Sequence, residues 1–269
     1  MAGPRGGIST ELPYIWAVNS CIMCYDMSFF SPIRLISDYL ELPEAEQPFT
    51  PTYHQVAPSF CRWPVAIGSE KPRIELFEWG VIADYMNTPE KIREYRTSMA
   101  NARSEKILGD PRSVWHRIRH QRCLVFTTGF FEHRDIGEKR KLPYFIRMAG
   151  VPVFALGGLY NYSPVPDPET GELKGTFAVI TRAANPLMRA IHNSGSHPHR
   201  MPLILPREQA LTWLRPDLDD RQLGQLLDCC VSSEAMEAWP VNSIRRAKPD
   251  DATVIRPLEE AGLPPLTYG

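Results

Sequence analysis

The sequence lacks any apolar run near the roughly 18 residues that a membrane-crossing helix needs. Residues 1–22 also lack the basic start and unbroken apolar stretch of a signal peptide. These absences exclude a helical membrane anchor and a secretion signal of the ordinary kind. Charge of one sign is missing too: 30 Lys and Arg stand against 31 Asp and Glu, a net charge of −1. No overall field draws the chain to nucleic acid or an anionic membrane, so any such binding must use local clusters. Arg134 to Lys141 and Arg245-Arg246-Ala247-Lys248 are the two basic runs, which otherwise read as solvated loops. Six cysteines, at 21, 24, 61, 123, 229 and 230, are too few in 269 residues for a disulfide framework, and they fit free thiols in a reducing, cytosolic compartment. Cys21-Ile22-Met23-Cys24 has no second Cys-x-x-Cys to complete a zinc site and no following helix to lower a thiol pKa. There is no internal repeat.

What is plentiful is proline, 26 of 269 residues, about twice the usual share. With 43% hydrophobic residues this indicates many tight connections around a full core, not disorder. From Tyr53 onward come short runs rich in β-branched and aromatic residues: 53–56, 63–67, 74–79, 123–127, 144–148, 153–160, 177–181 and 201–205. Helical patterns fall at 32–42, opened by Ser31-Pro32, and at 89–99, 184–191, 206–214 and 219–229. The expected fold is α+β, a single domain built on a largely antiparallel, barrel-like β-sheet with peripheral helices. Residues 162–175, with three prolines, two glycines and three acids, read as a long exposed hairpin loop. Residues 1–22 read as an appendage, and 259–269 as an extended tail on the surface.

Four stretches carry chemistry. In Met23-Cys24, a chain starting at Met23 and losing it would give Cys24 a free amine beside its thiol. A 1,2-aminothiol condenses with an aldehyde, the amine forming an imine and the thiol closing a thiazolidine, which no internal cysteine can do. Otherwise Cys24 is a small buried hydrophobe. Asn101-Ala102-Arg103-Ser104-Glu105 gathers an amide, a guanidinium, a hydroxyl and an acid after a helical pattern, as a helix end also would. In Gly129-Phe130-Phe131-Glu132 an acid ends an apolar strand; apolar surroundings raise a carboxyl pKa toward what a general acid requires, whereas a solvent-facing strand end would not. Ile191-His192-Asn193 and Arg200-Met201-Pro202 bracket a loop that also holds His197 and His199. Metal is the weaker reading of that loop, since no carboxylate or cysteine lies at ligand spacing, and no cofactor is expected.

Taken in order, these stretches and Tyr53-His54-Gln55-Val56-Ala57-Pro58, Glu78-Trp79-Gly80-Val81-Ile82, Arg122-Cys123-Leu124, Pro143-Tyr144-Phe145, Gly157-Gly158-Leu159-Tyr160 and Trp239-Pro240-Val241-Asn242 resemble the SOS response-associated peptidase (SRAP) family, whose members guard abasic sites in single-stranded DNA. The resemblance covers nearly all of 23–258. It implies that Cys24 is the nucleophile, joined to the ring-opened sugar aldehyde, that Asn101 holds it, that Glu132 moves protons at the amine and sugar oxygen, and that His192 assists ring opening. It implies that Arg103 and Arg200 bind flanking phosphates and that Trp79 and Pro58 line the groove, with the tryptophan available to a base. The implied partner is single-stranded DNA containing abasic sites, met by a monomeric, nucleoid-associated cytoplasmic protein.

Three departures stand out. Family members usually have Gly-Arg after the cysteine, where Tyr25-Asp26 stands here. Extra residues in the histidine loop make His199, and after it His197, alternatives to His192. The 22 residues before Met23 mean that the start is misassigned, that the leader is removed, or that this copy cannot form a thiazolidine. Besides covalent capture, the same residues suit a peptidase that cuts its own leader, or a DNA reader in which Cys24 is merely packed; a redox or zinc role for Cys21 and Cys24 is the remotest reading.

Overall fold

A computed structural model describes residues 26–43, 49–68, 70–260 and 262–268. Cys24, the leader and the Cys21–Cys24 motif lie outside the described residues. In chain order the strands are β1 (Asp26–Phe29), β2 (Thr52–Val56), β3 (Arg62–Ile67), β4 (Arg73–Trp79), β5 (Asn101–Arg103), β6 (Arg122–Thr127), β7 (Gly129–Asp135), β8 (Lys141–Met148), β9 (Phe154–Tyr162), β10 (Gly175–Ala183), β11 (Arg200–Pro202), β12 (Ile204–Leu205) and β13 (Met236–Pro240). The helices are α1 (Arg34–Leu40), α2 (Pro89–Tyr95), α3 (Glu105–Leu108), α4 (Val114–Arg117), α5 (Pro186–Ile191), α6 (Arg207–Trp213) and α7 (Asp220–Leu227).

The apolar runs expected as strands are strands, and five of them, β3, β4, β6, β9 and β10, close a barrel. β10 pairs with β4, β4 with β3, β3 with β6, β6 with β9, and β9 returns to β10. All of these pairings are antiparallel except β10 with β4. Closure needs close backbone approach where β6, β9 and β10 meet: a Cβ on Gly158 would stand 2.8 Å from Val125 Cγ2 and 3.0 Å from Ala178 O. Three tryptophans fill and pin the interior, Nε1–H of Trp63 donating to Phe126 O, of Trp79 to Ala100 O and of Trp213 to Cys123 O. Each satisfies the one polar atom that would otherwise be stranded in the core. A second sheet, ordered β13-β8-β7-β1-β2, packs beside it with its own apolar cluster of Phe131, Phe145, Val241 and Ile244.

The helices follow their caps. Asn185 caps α5 with Pro186 in the first turn, and Asp219 and Gln222 form a reciprocal capping box on α7. Ser31 does not cap α1; its hydroxyl donates to Pro152 O, and the helix begins later, at Arg34. The hairpin between β9 and β10 spans the expected loop, tied down by Lys174, whose ammonium meets Glu78 at 2.9 Å and Asp167 at 2.7 Å. No helix among the described residues is long and apolar enough to cross a membrane.

Candidate active site

β1 carries the chain into the second sheet. Asp26 lies opposite Val56 of β2 and opposite Phe131 of β7, one position from Glu132. Hydroxyls lock this strand: Thr127 Oγ1 and Thr128 Oγ1 both donate to Ser28 O, and Ser28 Oγ donates to Gly129 O. Gly129 is required here, because a Cβ would stand 2.2 Å from the Phe145 ring. His54 Nε2 donates to Asp26 Oδ1 at 2.7 Å, and its ring meets Phe131 edge-on. Asp26, where the resemblance leads one to look for arginine, is therefore held within the sheet.

Glu132 is not at a strand end. It sits mid-strand in β7 opposite Tyr144, only 3% exposed, and Oε1 accepts from the His133 backbone N–H at 3.1 Å. Phe130 and Phe131, which precede it in sequence and made its setting legible, are both buried.

His192 follows the last turn of α5 and is fully buried. Its Nδ1 accepts from the Arg200 backbone N–H, which places the imidazole proton on Nε2. Among the described residues that Nε2 has no hydrogen-bond partner. Burial, reinforced by the charges of His199, Arg200 and Lys141 and by His133, pushes its pKa down to about 4, so it is a neutral N–H donor at pH 7. Residues 193–199 form an excursion closed at its base by His199 N–H donating to His192 O at 2.7 Å. The extra residues thus loop out and return, and they leave His192 beside Arg200. The His199 ring turns away to donate from Nδ1 to Arg189 O, and His197 is exposed.

Asn101 and Arg103 were expected near a helix end; they form β5, parallel to β10, with Asn101 opposite Val179 and Arg103 opposite Thr181. Alternation along a strand puts both side chains on one face while Ala102 is buried on the other. Arg200 enters the same neighbourhood from β11. Its guanidinium grips Glu105 with both Nη atoms, at 2.5 and 2.8 Å, and donates to Thr181 O at 2.7 Å. That charge is committed within the protein, so Arg200 does not present a free fork to a phosphate.

Trp79 must be corrected outright. It is 0% exposed, stacks on Phe177 at 6.0 Å with rings 12° apart, and spends its N–H on Ala100 O, so it cannot reach a base. Accessible rings among the described residues include the neighbours Tyr85 and Tyr95, 43% and 40% exposed and 6.0 Å apart, which sequence reasoning overlooked because each is a lone aromatic outside an apolar run. Pro58 lies in the turn Ala57–Ser59 after β2, and its side chain is outside the described residues. Of the described cysteines, burial pushes the Cys61 thiol up to about 11 and Cys123 higher still, so neither is a ready nucleophile. Among the described residues no three His, Cys, Asp or Glu side chains converge as metal ligands.

The chain is similar to known proteins over most of its length. The abasic site processing protein YoqW of Bacillus subtilis is 31% identical over 226 residues, 82% of this chain and 93% of that one. The abasic site processing protein YobE of the same organism is 30% identical over 226 residues, covering 82% and 95%. A crystal structure of a protein from Bacteroides thetaiotaomicron superposes with a TM-score of 0.74 at 30% identity, covering 87% of this chain and all of that one. A sequence model of the family described as SOS response associated peptidase matches residues 23–244, and the chain belongs to that family, SRAP.

Proposed function

We propose that this protein processes abasic sites in single-stranded DNA, capturing the ring-opened sugar on Cys24 once the residues before it are gone. The Cys24 amine attacks the aldehyde and loses water to give an imine; the thiol then adds across C=N and closes a thiazolidine. One water leaves in all. The observation that carries this reading is a buried neutral imidazole, His192, whose Nε2–H has no partner among the described residues, on a segment bonded through Asn193 to Asp135 of the strand that carries the buried carboxyl Glu132. Only Tyr25 stands between Asp26 and Cys24, a reach of at most about 7 Å, and Asp26 lies one register position from Glu132.

In this reading Glu132 takes and returns protons at the amine and the sugar oxygen, and His192 donates from Nε2 as the furanose ring opens. Asn101 holds the cysteine. Arg103 meets a flanking phosphate, whereas Arg200 acts first as a positioning residue, its backbone N–H fixing the tautomer of His192 and its guanidinium tying β11 to Glu105. A second reading, cleavage before Cys24 by the same residues, is favoured by the family description and by a match that begins at Met23. The two are compatible, since that cut would expose the amine which capture needs.

The test is intact mass after incubation with a single-stranded oligonucleotide bearing one abasic site, using protein that begins at Cys24 beside the 269-residue form. A mass equal to protein plus oligonucleotide minus water is expected from the first. Cys24→Ala should abolish it, Glu132→Gln and His192→Ala should slow it, and His199→Ala should leave it unchanged. No adduct from either form would refute covalent capture and leave a DNA reader or a peptidase.

A further inference from the structure

α7 runs into two adjacent cysteines, Cys229 and Cys230, and the chemistry proposed for Cys24 uses neither. Their setting differs from that of the other described cysteines. Cys123 is fully buried and the Cys61 thiol is held high by burial, whereas Cys230 is exposed and Cys229 is half-buried. Arg182 of β10 lies beside the pair, its Nη1 donating to the carbonyls of Asp228 and Cys229. Burial keeps the Cys229 thiol above its ordinary range, and the Arg182 charge opposes that. The exposed sulfur of Cys230 is thus the one an incoming reagent meets, with a second thiol on the next residue.

Cys230 also touches the frame of the candidate site. Its thiol donates to Val231 O at 3.6 Å, and that same carbonyl accepts from Asn185 Nδ2 at 3.1 Å. Asn185 caps α5, its Oδ1 accepting from the Met188 N–H at 2.9 Å. Two residues beyond Val231, the Ser233 hydroxyl accepts from the Leu187 N–H at 3.1 Å. The far end of α5 leads directly into His192, whose N–H donates to Met188 O. Residues 229–233 therefore hold the start of a six-residue helix whose other end positions the imidazole.

We propose that Cys229 and Cys230 are a modification site, a dithiol that a hydroperoxide closes to a vicinal disulfide, and that closure loosens α5 and with it His192. With hydrogen peroxide, the Cys230 sulfur attacks the O–O bond and takes one oxygen as a sulfenic acid, releasing one water. Cys229 then attacks that sulfur, the S–S bond forms, and the hydroxyl leaves with the Cys229 proton as a second water. The two thiols give up two electrons and the peroxide is reduced to two waters. Closure removes the thiol hydrogen that Val231 O accepts and turns Cys230 toward Cys229. Neighbouring Cα atoms stand only about 3.8 Å apart, below the roughly 4.4–6.8 Å usual for a disulfide, so the ring is strained and a small thiol reopens it. Such ease of reversal suits a switch.

The experiment treats the full chain with hydrogen peroxide, alkylates free thiols, and weighs the tryptic peptides. The peptide 222–245 contains both cysteines and no other. It should lose two hydrogens and resist alkylation at both sulfurs, and dithiothreitol should restore both, while Cys61 and Cys123 stay reduced. Two alkylated cysteines after treatment, or oxygen added at cysteine sulfur without a disulfide, would overturn the site. Hydrogen exchange reads the coupling: amides 187–192 should exchange about threefold faster or more in the oxidised chain, and at an unchanged rate in Cys230→Ser given the same peroxide. Unchanged exchange in the disulfide form would keep the site and overturn its coupling to α5. Neither readout uses DNA, so both are independent of abasic-site capture.

Discussion

The carboxamide of Asn193 reads the backbone of Asp135 at both of its polar groups: Oδ1 accepts from the Asp135 N–H at 2.8 Å, and Nδ2 donates to the Asp135 carbonyl at 2.9 Å. This joins the residue after His192 to the strand that carries Glu132, so the two proton-transfer candidates are held in one frame. Asn193→Ala removes both bonds from an exposed position and should cost about 1–2 kcal/mol in urea denaturation. Its larger effect should be kinetic: abasic-site capture slowed at least tenfold by loosening His192, with affinity for intact single-stranded DNA within twofold of wild type. Equal capture rates would show that the frame does not matter.

His192 gives stability a definite pH dependence. Its pKa falls from 6.5 to about 4 on folding, so between those values the unfolded chain binds a proton that the folded chain refuses. The contribution is whole above about pH 6.5 and is lost as pH drops toward 4. At pH 5 it amounts to about 2 kcal/mol less stability than at pH 7. Denaturation of wild type and His192→Asn at both pH values should show the difference shrinking by about that amount in the variant.

Because Trp79 belongs to the barrel interior, Trp79→Ala should destabilise the fold by about 3–5 kcal/mol. Trp79→Phe should cost less, and the folded variant should bind single-stranded DNA as wild type does in anisotropy titrations. A selective loss of DNA affinity in that variant, with stability unchanged, would restore the base-contacting role.

The tail is strapped to the basic β7–β8 hairpin. Arg134 donates to the carbonyls of Pro264 and Pro265, Arg140 meets Glu260 at 2.5 Å, and Leu263 and Leu266 pack on the main core. Ending the chain at Leu258 should lower stability by about 1–2 kcal/mol, chiefly through the two leucines. It should also free two cations and steepen the salt dependence of oligothymidine binding. An unchanged slope would mean that the hairpin lies off the DNA path.

Much of the barrel was legible because its strands are dense in β-branched and aromatic residues and separated by glycine and proline. The strands that went unread were those whose pattern is brief or polar. β5 is three residues of which two are polar, and β13 is five residues that include a glutamate and end on a proline; each is a strand only because a long neighbour, β10 or β8, supplies a hydrogen-bonding edge. β7 was seen only as far as Glu132, since His133, Arg134 and Asp135 look like a turn until β8 pairs with them.

The same division runs through the site. Residue types and their order by themselves determined the family, the aminothiol motif, and Asn101, Glu132 and His192 as the groups to watch, because chemistry is written in side chains. What those groups can do was decided by tertiary structure. Trp79 lost its surface role when β10 brought Phe177 against it, and Arg200 lost its free charge to a glutamate 95 residues away. His192 became a neutral donor through burial and the backbone of Arg200. Exposure, protonation and pairing are sums over neighbours that the fold assembles from distant parts of the chain, and no local pattern contains them.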